Sequence, residues 1–210
     1  MNFIYACDLL GTMFFAISGA MAGHRKGIDI LGASFMAFVT AIGGGSLRDI
    51  FLNTRPLWVG DGNYLLAIFL GVFISVIINK QLYSLAKTLN LFDAIGIGFF
   101  TVVGTEKSLD YGSSEIAAIM LGMFSASMGG VIRDVLINET PLILRKEIYA
   151  SACLAGASLF VILTSLEITN GWSAFISALL TFLIRIISVR FNLSLPVVKE
   201  VKTEDKLQDL

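Results

Sequence analysis

The sequence predicts an all-α integral membrane protein with seven transmembrane helices, arranged as two inverted three-helix repeats plus a seventh helix. Three observations predict this fold: the composition, seven long apolar stretches, and a repeat at a fixed offset. Of 210 residues, 56% are hydrophobic and 15% are charged, whereas soluble domains average about 45–50% apolar and about 25% charged residues. This excess is too large for one buried core, so we expect the bilayer to be the solvent.

The composition also argues against several function classes. A net charge of −1 gives no basic surface for nucleic acid, so no nucleic-acid partner is expected. Cys7 and Cys153 lie in apolar runs, and His24 is the only histidine, so we expect no metal and no other cofactor. The sequence contains no Ser-His-Asp set, phosphate-binding loop or paired catalytic carboxylates, and we therefore expect no enzyme.

Seven stretches approach the roughly 20 apolar residues that cross a bilayer. They are residues 3–23, 28–47, 64–78, 91–108, 116–136, 148–166 and 172–189. We assign residues 1–190 to a single transmembrane domain, in which the seventh helix covers about 172–190. Residues 191–210 form a polar tail that we expect to be cytosolic.

The basic residues predict the orientation, because cytoplasmic loops are enriched in Lys and Arg. If the helices alternate, ten of the fifteen basic residues fall on one side: Arg25, Lys26, Lys80, Lys87, Arg145, Lys146, Arg190, Lys199, Lys202 and Lys206. The opposite loops hold only Arg55. We therefore expect the N-terminus outside and the C-terminus in the cytoplasm.

An internal repeat relates two halves of the chain without a gap. Many residues recur 85 positions later, among them Asp8, Gly11, Phe15, Gly44, Gly45, Arg48, Asp49, Asn53, Pro56 and Tyr64. Repeat one covers about residues 3–83 and repeat two about 88–168. Because each repeat has three helices, the second must enter the membrane upside down, and such repeats place their special chemistry where the copies meet.

Glycine runs late in the second helix of each repeat are the first candidate site. Gly43, Gly44 and Gly45 stand in the second helix, and Gly129 and Gly130 in the fifth. Consecutive glycines favour a bend, and a break inside a membrane must face protein or water. We predict kinked, pore-lining helices with exposed carbonyls. Close helix–helix packing is the alternative, because small residues let backbones approach.

Two Arg-Asp pairs follow the glycines, at Arg48-Asp49 and Arg133-Asp134. Ionisable groups in membranes are costly and tend to pair or to line a water path. Successive helical residues point about 100° apart, so neighbours need not pair, and cross-pairs between the repeats are conceivable. The alternative is a hydrated position at the membrane surface.

Four further charged residues need a role. Glu106-Lys107 has no charged counterpart in repeat one, where Met21-Ala22 stand. Lys107 is therefore either a gating charge or an interfacial anchor. Asp8 and Asp93 are expected to open the first helix of their repeats and to complement its dipole.

These motifs resemble those of the prokaryotic trimeric intracellular cation (TRIC) channels. The resemblance rests on Gly-Gly-Gly-x-x-Arg-Asp at residues 43–49, Gly-Gly-x-x-Arg-Asp at 129–134 and the segment 103–107, and it spans about residues 3–190. One departure is Met128, which stands where the first copy has Gly43, so a milder break is expected in the fifth helix.

The resemblance implies a homotrimer with one K+/Na+ pore in each protomer, between the repeats and along the second and fifth helices. The implied pore residues are Gly43, Gly44, Gly45, Arg48, Asp49, Gly129, Gly130, Arg133 and Asp134, with Lys107 as a gating or pore charge. Membrane lipids are expected partners, and a bacterial inner membrane the location.

Two other functions remain open at this stage. Related bacterial sequences are labelled glycine transporters, and inverted repeats suit secondary transporters for a small zwitterion. Arg48 or Arg133 would then bind the carboxylate, and Asp49 or Asp134 the amine. A membrane scaffold is the third possibility, but it leaves the paired glycine–charge motifs without a purpose.

Overall fold

A computed structural model describes residues 3–81 and 85–194. The helices are α1 (Phe3–Arg25), α2 (Ile30–Phe51), α3 (Asn63–Gln81), α4 (Leu85–Asp110), α5 (Glu115–Leu136), α6 (Ala150–Ser165) and α7 (Asn170–Phe191). Two short 3₁₀ helices, η1 (Leu57–Val59) and η2 (Leu142–Leu144), precede α3 and α6. The predicted seven-helix fold is confirmed. The end of repeat one near residue 83 and most of the predicted tail, residues 195–210, lie outside the described residues.

The helices differ in how well they match a bilayer. Within the described residues, five are long and apolar enough to cross a membrane, namely α1, α2, α4, α5 and α7. The apolar part of α3 and the whole of α6 are shorter. With 16 residues, α6 reaches only about 24 Å, against about 30 Å of hydrocarbon.

Matched positions of the two repeats adopt matched local structure. Asp29 caps α2 and Ser114 caps α5, and each side chain accepts a hydrogen bond from the backbone N–H three residues later. Asn53 and Asn138 follow those helices with φ of 53° and 55°, a left-handed conformation that asparagine tolerates better than most residues. In both cases the partners are 85 positions apart, so equivalent residues mark the beginning and the end of α2 and of α5.

Reciprocal contacts show a two-fold relation between the repeats. Phe15 of α1 stacks on its repeat partner Phe100 of α4, with ring centroids 5.1 Å apart and planes 13° apart. A Cβ atom on Gly11 would meet the Phe100 ring, and one on Gly96 would meet the Phe15 ring. When residue i contacts j and the partner of i contacts the partner of j, the units are related by a two-fold axis. That axis passes between α1 and α4.

Helices α2 and α5 cross backbone to backbone on the same axis. A Cβ atom on Gly44 would lie 1.9 Å from the Ser125 carbonyl oxygen, and one on Gly129 would lie 2.3 Å from the Thr40 oxygen. Both helices continue through their glycines as α-helix. The expected break with exposed carbonyls is therefore corrected: Gly44 and Gly129 serve the close packing that was the alternative.

The seventh helix lies outside the repeat pair and packs on α4 and α6. A Cβ atom on Gly156 of α6 would lie 1.8 Å from the Thr181 hydroxyl, and one on Gly98 of α4 would lie 2.9 Å from the Ala178 carbonyl oxygen. Small residues thus let α7 approach two helices of repeat two closely.

The loops sort onto two sides of the bundle. Arg25, the last residue of α1, and Lys26 both form ion pairs with Glu139, which follows α5, and the Lys26–Glu139 pair measures 3.0 Å. We call this the inner side. At the other end, Tyr5 of α1 donates to Asp61, before α3, and we call this the outer side. The two basic loops share one side, as the charge count predicts.

Candidate functional site: two buried charge clusters

The inner cluster is built around Arg133 of α5, which is fully buried. Its Nη1 atom lies 2.6 Å from an Asp93 carboxylate oxygen of α4 and donates to the Ser18 hydroxyl of α1 at 2.5 Å. Its Nε atom donates to Asp134 at 2.8 Å. One guanidinium therefore joins three helices at the inner end of the bundle.

The loop after α5 covers the inner cluster. The second oxygen of Asp134 accepts a hydrogen bond from the Leu142 backbone N–H, the first residue of η2, at 3.1 Å. The Leu142 side chain is only 5% exposed. Because charge-assisted hydrogen bonds are strong, this contact holds η2 over the inner end.

Part of the inner cluster is left without partners. Buried atoms with no hydrogen bond include Asp93 Oδ2, Arg133 Nη2 and the Tyr149 hydroxyl. Two of them lie beside Gly130, whose added Cβ atom would be 3.2 Å from the Tyr149 hydroxyl and 3.5 Å from Arg133 Nη2. Unpaired polar atoms are costly in a low-dielectric site, so the inner cluster is not fully satisfied by its own hydrogen bonds.

Helix α7 supplies a further arginine at the inner end. Arg185 is fully buried, lies 5.0 Å from the centroid of the Tyr149 ring and pairs with Glu147 at 2.7 Å. Its guanidinium thus occupies a cation–π position and links the helix outside the repeats to the inner cluster.

The outer cluster contains the repeat partners of the same residues, with different bonds. Arg48 Nε donates to Asp49 at 2.8 Å. Lys107 of α4 reaches the same Asp49 oxygen at 2.9 Å. Asp8 of α1 accepts a hydrogen bond from the Tyr64 hydroxyl at 2.6 Å. Within the described residues, no ion pair joins Arg48 to Asp8.

A polar recess lies in the outer cluster. Asp8, Thr12, Arg48, Asp49 and Tyr64 are among its lining residues, with Gly45 and Trp58. Its cavity volume is about 20 Å³, room for one or two waters. Arg48 Nη1 is buried there without a hydrogen-bond partner.

The structure settles how the predicted charges are arranged. Each arginine pairs with the aspartate next to it in sequence, so the conceivable cross-pairs between repeats are not formed. All four side chains are buried, so the hydrated surface position is also wrong. Close packing with neighbouring helices brings side chains at helix ends into the protein interior.

The predicted glycines divide between packing and the clusters. An added Cβ atom on Gly43 would meet Ile132 of α5 at 2.6 Å, as close packing requires. Gly45 lines the outer recess, and Gly130 borders the unpaired atoms of the inner cluster. Their role in a pore stays a prediction.

Asp8 and Asp93 are the residues whose role the sequence reading missed. α1 begins at Phe3 and α4 at Leu85, and neither has an acidic residue in its first turn. Both aspartates are buried inside their helices and belong to the clusters. The available signal was their recurrence at the offset of the Arg-Asp pairs, because a repeated buried charge needs a repeated partner.

Two carboxylates outside the membrane-spanning helices have perturbed acidity. The hydrogen bond from Arg25, assisted by Lys26, lowers the pKa of Glu139 to about 2. The hydrogen bond from Tyr5 lowers the pKa of Asp61. Both groups are therefore charged near neutral pH. Glu139 forms ion pairs at the inner end, and Asp61 accepts a hydrogen bond from Tyr5 at the outer end.

The fold and the two clusters define a multi-pass membrane protein of the inverted-repeat transport class. A family model described as "Glycine transporter" matches residues 5–80 and again 90–165. The two matches begin 85 residues apart, the offset of the internal repeat. The family model therefore describes one repeat, and this chain holds two.

Relatives and solved structures identify the family. A UPF0126 membrane protein of Vibrio cholerae is 36% identical over 93% of this chain and 82% of its own length, and the UPF0126 inner membrane protein YadS of Escherichia coli is 33% identical over 92% and 95%. A TRIC channel orthologue from Rhodobacter sphaeroides has 32% identity and a TM-score of 0.87, over 92% of this chain and all of that one. A prokaryotic TRIC channel in 0.5 M KCl has 30% identity and a TM-score of 0.83, over 91% of this chain and 98% of that one. The chain belongs to the prokaryotic TRIC channel family, whose solved members are channels and not enzymes.

Proposed function

We propose that this protein is a monovalent cation channel that passes K+ or Na+ through a pore inside each protomer. The observation that carries the proposal is the outer recess, where Asp8 and Asp49 place two carboxylates beside Tyr64 and Thr12. Carboxylates favour cations in a pore. The similar solved proteins are described as cation channels, which supports the same class of function.

The pore would follow the interface between the repeats. The outer recess opens beside α2, the inner cluster closes the other end beside α5, and the Phe15–Phe100 stack lies on the axis between them. A recess of about 20 Å³ is too small for a hydrated cation. The proposed pore would therefore be closed in this structure.

The assembly and location follow from the same family. We propose a homotrimer, because the similar Rhodobacter protein is described as a trimeric channel. We propose the bacterial inner membrane, because a relative carries that description. The N-terminus would lie outside, and membrane lipids would cover the exposed apolar faces of the helices.

A second function is favoured by one observation. Arg48 Nη1 is buried and unpartnered beside Asp49 and Asp8 in the outer recess. A free guanidinium N–H next to carboxylates suits the carboxylate and ammonium of an amino acid, and the matching family model is described as a glycine transporter. Transport of a small zwitterion such as glycine is therefore the competing proposal.

One experiment separates the two functions. Purified protein is incorporated into a planar bilayer under a KCl gradient, with no other solute. We expect discrete current steps whose reversal potential shows cation selectivity. Matched proteoliposomes are tested for accumulation of radiolabelled glycine, and silent bilayers together with glycine uptake would establish the transporter instead.

Two variants calibrate that experiment. Asp49→Asn removes a carboxylate from the recess and is expected to reduce the cation current. Lys146→Met removes an exposed cation of the α5–α6 loop, away from the recess, and is expected to leave the current unchanged. Equal currents in both variants and the parent would remove Asp49 from the conduction path.

A further inference from the structure

The matching tyrosines of the two repeats meet their aspartates differently. Tyr64 donates a hydrogen bond to Asp8 at 2.6 Å. Among the described residues, neither the buried Tyr149 hydroxyl nor Asp93 Oδ2 has a hydrogen-bond partner. The two side chains are close, because Asp93 Oδ1 and the Tyr149 hydroxyl both lie within 3.4 Å of the point where a Cβ atom on Gly130 would stand. A contact that repeat one lacks therefore keeps this tyrosine from its aspartate.

Helix α7 stands between two helices whose counterparts pack directly in repeat one. A Cβ atom on Gly71 of α3 would lie 2.7 Å from the Ala16 side chain and 2.8 Å from the Met13 carbonyl oxygen, both in α1. The repeat partner Gly156 of α6 faces α7 instead, and its added Cβ atom would lie 1.8 Å from the Thr181 hydroxyl. Because α7 also packs on α4, α6 does not approach α4 at this level as α3 approaches α1.

The beginning of α6 differs from that of α3 in the same region. Tyr64 is the second residue of α3 and lies inside its first turn. Tyr149 stands just before α6, with φ of −124° and ψ of −70°. The tyrosine of repeat two thus belongs to a connecting segment, whose position depends on what holds it.

Arg185 of α7 binds three successive residues of that segment. Its Nη2 atom pairs with Glu147 at 2.7 Å, its Nη1 atom donates to the Ile148 carbonyl oxygen at 3.3 Å, and its guanidinium lies 5.0 Å from the centroid of the Tyr149 ring. An isolated backbone bridge between Glu147 and Ser194, just after α7, holds the same segment. Helix α7 therefore fixes the residues that carry the inner tyrosine.

Repeat one has no equivalent of this contact. The position that matches Glu147 is Gly62, which has no side chain to pair with an arginine. Within the described chain, a cation lies over the Tyr149 ring but none lies over the Tyr64 ring. The different bonding of the two tyrosines thus coincides with contacts that only repeat two receives.

We propose that Arg185 is a positioning residue of the inner cluster. By holding residues 147–149, it keeps the Tyr149 hydroxyl away from Asp93. That carboxylate is then left to the buried Arg133, whereas a tyrosine hydroxyl bound to it would weaken its hold on the guanidinium. Helix α7, which lies outside the repeats, thereby favours the ion pair that joins α4 and α5. The assignment does not depend on which solute crosses the membrane.

A double-mutant cycle tests the assignment without a transport assay. In the full-length parent, Tyr149→Phe removes a hydroxyl without a partner and should leave the unfolding midpoint unchanged. In the Arg185→Met protein the hydroxyl is free to reach Asp93, and Tyr149→Phe should then lower the midpoint by several degrees. A purely structural role would lower the midpoint of Arg185→Met without creating this coupling between two positions.

Three control variants make the result specific. Arg185→Lys keeps a cation beside the ring and should behave like the parent. Glu147→Gln weakens the same contact from the other side while the arginine stays in place, and Tyr149→Phe should then cost part of the full loss. Tyr64→Phe is the matched control, because its hydrogen bond lies in the outer cluster and its loss should be the same in every background.

The outcomes decide the assignment directly. A loss on Tyr149→Phe that appears only in the Arg185→Met and Glu147→Gln proteins supports it. The assignment is overturned if Tyr149→Phe is already costly in the parent or if it stays neutral in both of those proteins. It is also overturned if the loss caused by Tyr64→Phe grows by the same amount.

Discussion

The inner and outer ends of this molecule carry the same charged motif but hold it differently. At the inner end one guanidinium satisfies two carboxylates and a hydroxyl, and a loop covers them. At the outer end the carboxylate beside Arg48 is shared with Lys107, and a recess remains. Identical residues at symmetric positions thus form different bonds, because some of their neighbours differ between the two repeats.

The first prediction breaks the packing that both ends share. Gly44→Ala should destabilise the protein by several kcal/mol, in the range of about 1–3 or more for an overpacked core, because its Cβ would lie 1.9 Å from a backbone oxygen. Gly45→Ala is the matched control. Its Cβ would meet nothing closer than 3.7 Å, and alanine is the better helix former by about 1 kcal/mol. Thermal unfolding of both proteins in the same detergent measures the difference, and equal midpoints would contradict the close crossing.

The second prediction compares the buried aspartates of the two repeats. Asp93→Asn removes the α4 partner of a fully buried arginine and should cost about 3–5 kcal/mol. Asp8→Asn should cost less, about 1–3 kcal/mol, because Asp8 is bonded to a tyrosine beside an open recess. The two unfolding midpoints are compared directly. A larger loss for Asp8→Asn would mean that the outer half carries the tighter pair.

The third prediction compares Tyr64 of the outer cluster with Tyr149 of the inner cluster. Tyr64→Phe removes a hydrogen bond to a carboxylate and should cost about 1.5–3 kcal/mol. Tyr149→Phe removes a buried hydroxyl without a partner and should be nearly neutral. Unfolding midpoints again provide the measurement. Equal losses would show that both hydroxyls are bonded in solution.

The smallest effect is expected at the inner loops. The pKa of Glu139 is depressed to about 2, so its ion pairs stabilise the protein above the ordinary carboxyl pKa and are lost as the pH falls toward 2. Glu139→Gln should therefore destabilise by about 1 kcal/mol or less at neutral pH. The gap between parent and variant should narrow as the pH is lowered from 5 to 3. A gap that stays constant with pH would exclude the ionic origin.

Much of the fold could be predicted from the sequence because its strongest signals are physical and repeated. The lengths of the apolar stretches predicted the seven helices, and the odd number of helices in each repeat required the second repeat to be inverted. Asn53 and Asn138 marked the same helix ends in both halves. The short apolar part of α3 is also visible in its apolar stretch, residues 64–78, whereas the stretch predicted for α6, residues 148–166, is longer than the helix.

The site was harder to predict than the fold. Buried charges choose partners by three-dimensional distance, so the sequence revealed Arg48 and Arg133 but not their bonds to Asp49 and Asp134. Glycine runs permit both a kink and a close crossing, and only the position of Ser125 and Thr40 decides between them. Asp8 and Asp93 were assigned to helix starts, whereas α1 begins at Phe3 and α4 at Leu85, so both aspartates lie inside their helices.

The shortness of α6 has a consequence for the surrounding lipid. A helix of about 24 Å in a hydrocarbon layer of about 30 Å creates hydrophobic mismatch, which the bilayer relieves by thinning. The polar residues just before α6, Arg145 to Glu147, would then draw lipid headgroups inward beside the inner cluster. The acyl-chain length of the lipid thereby affects the inner end of the protein. Thin bilayers should stabilise the protein more than thick bilayers.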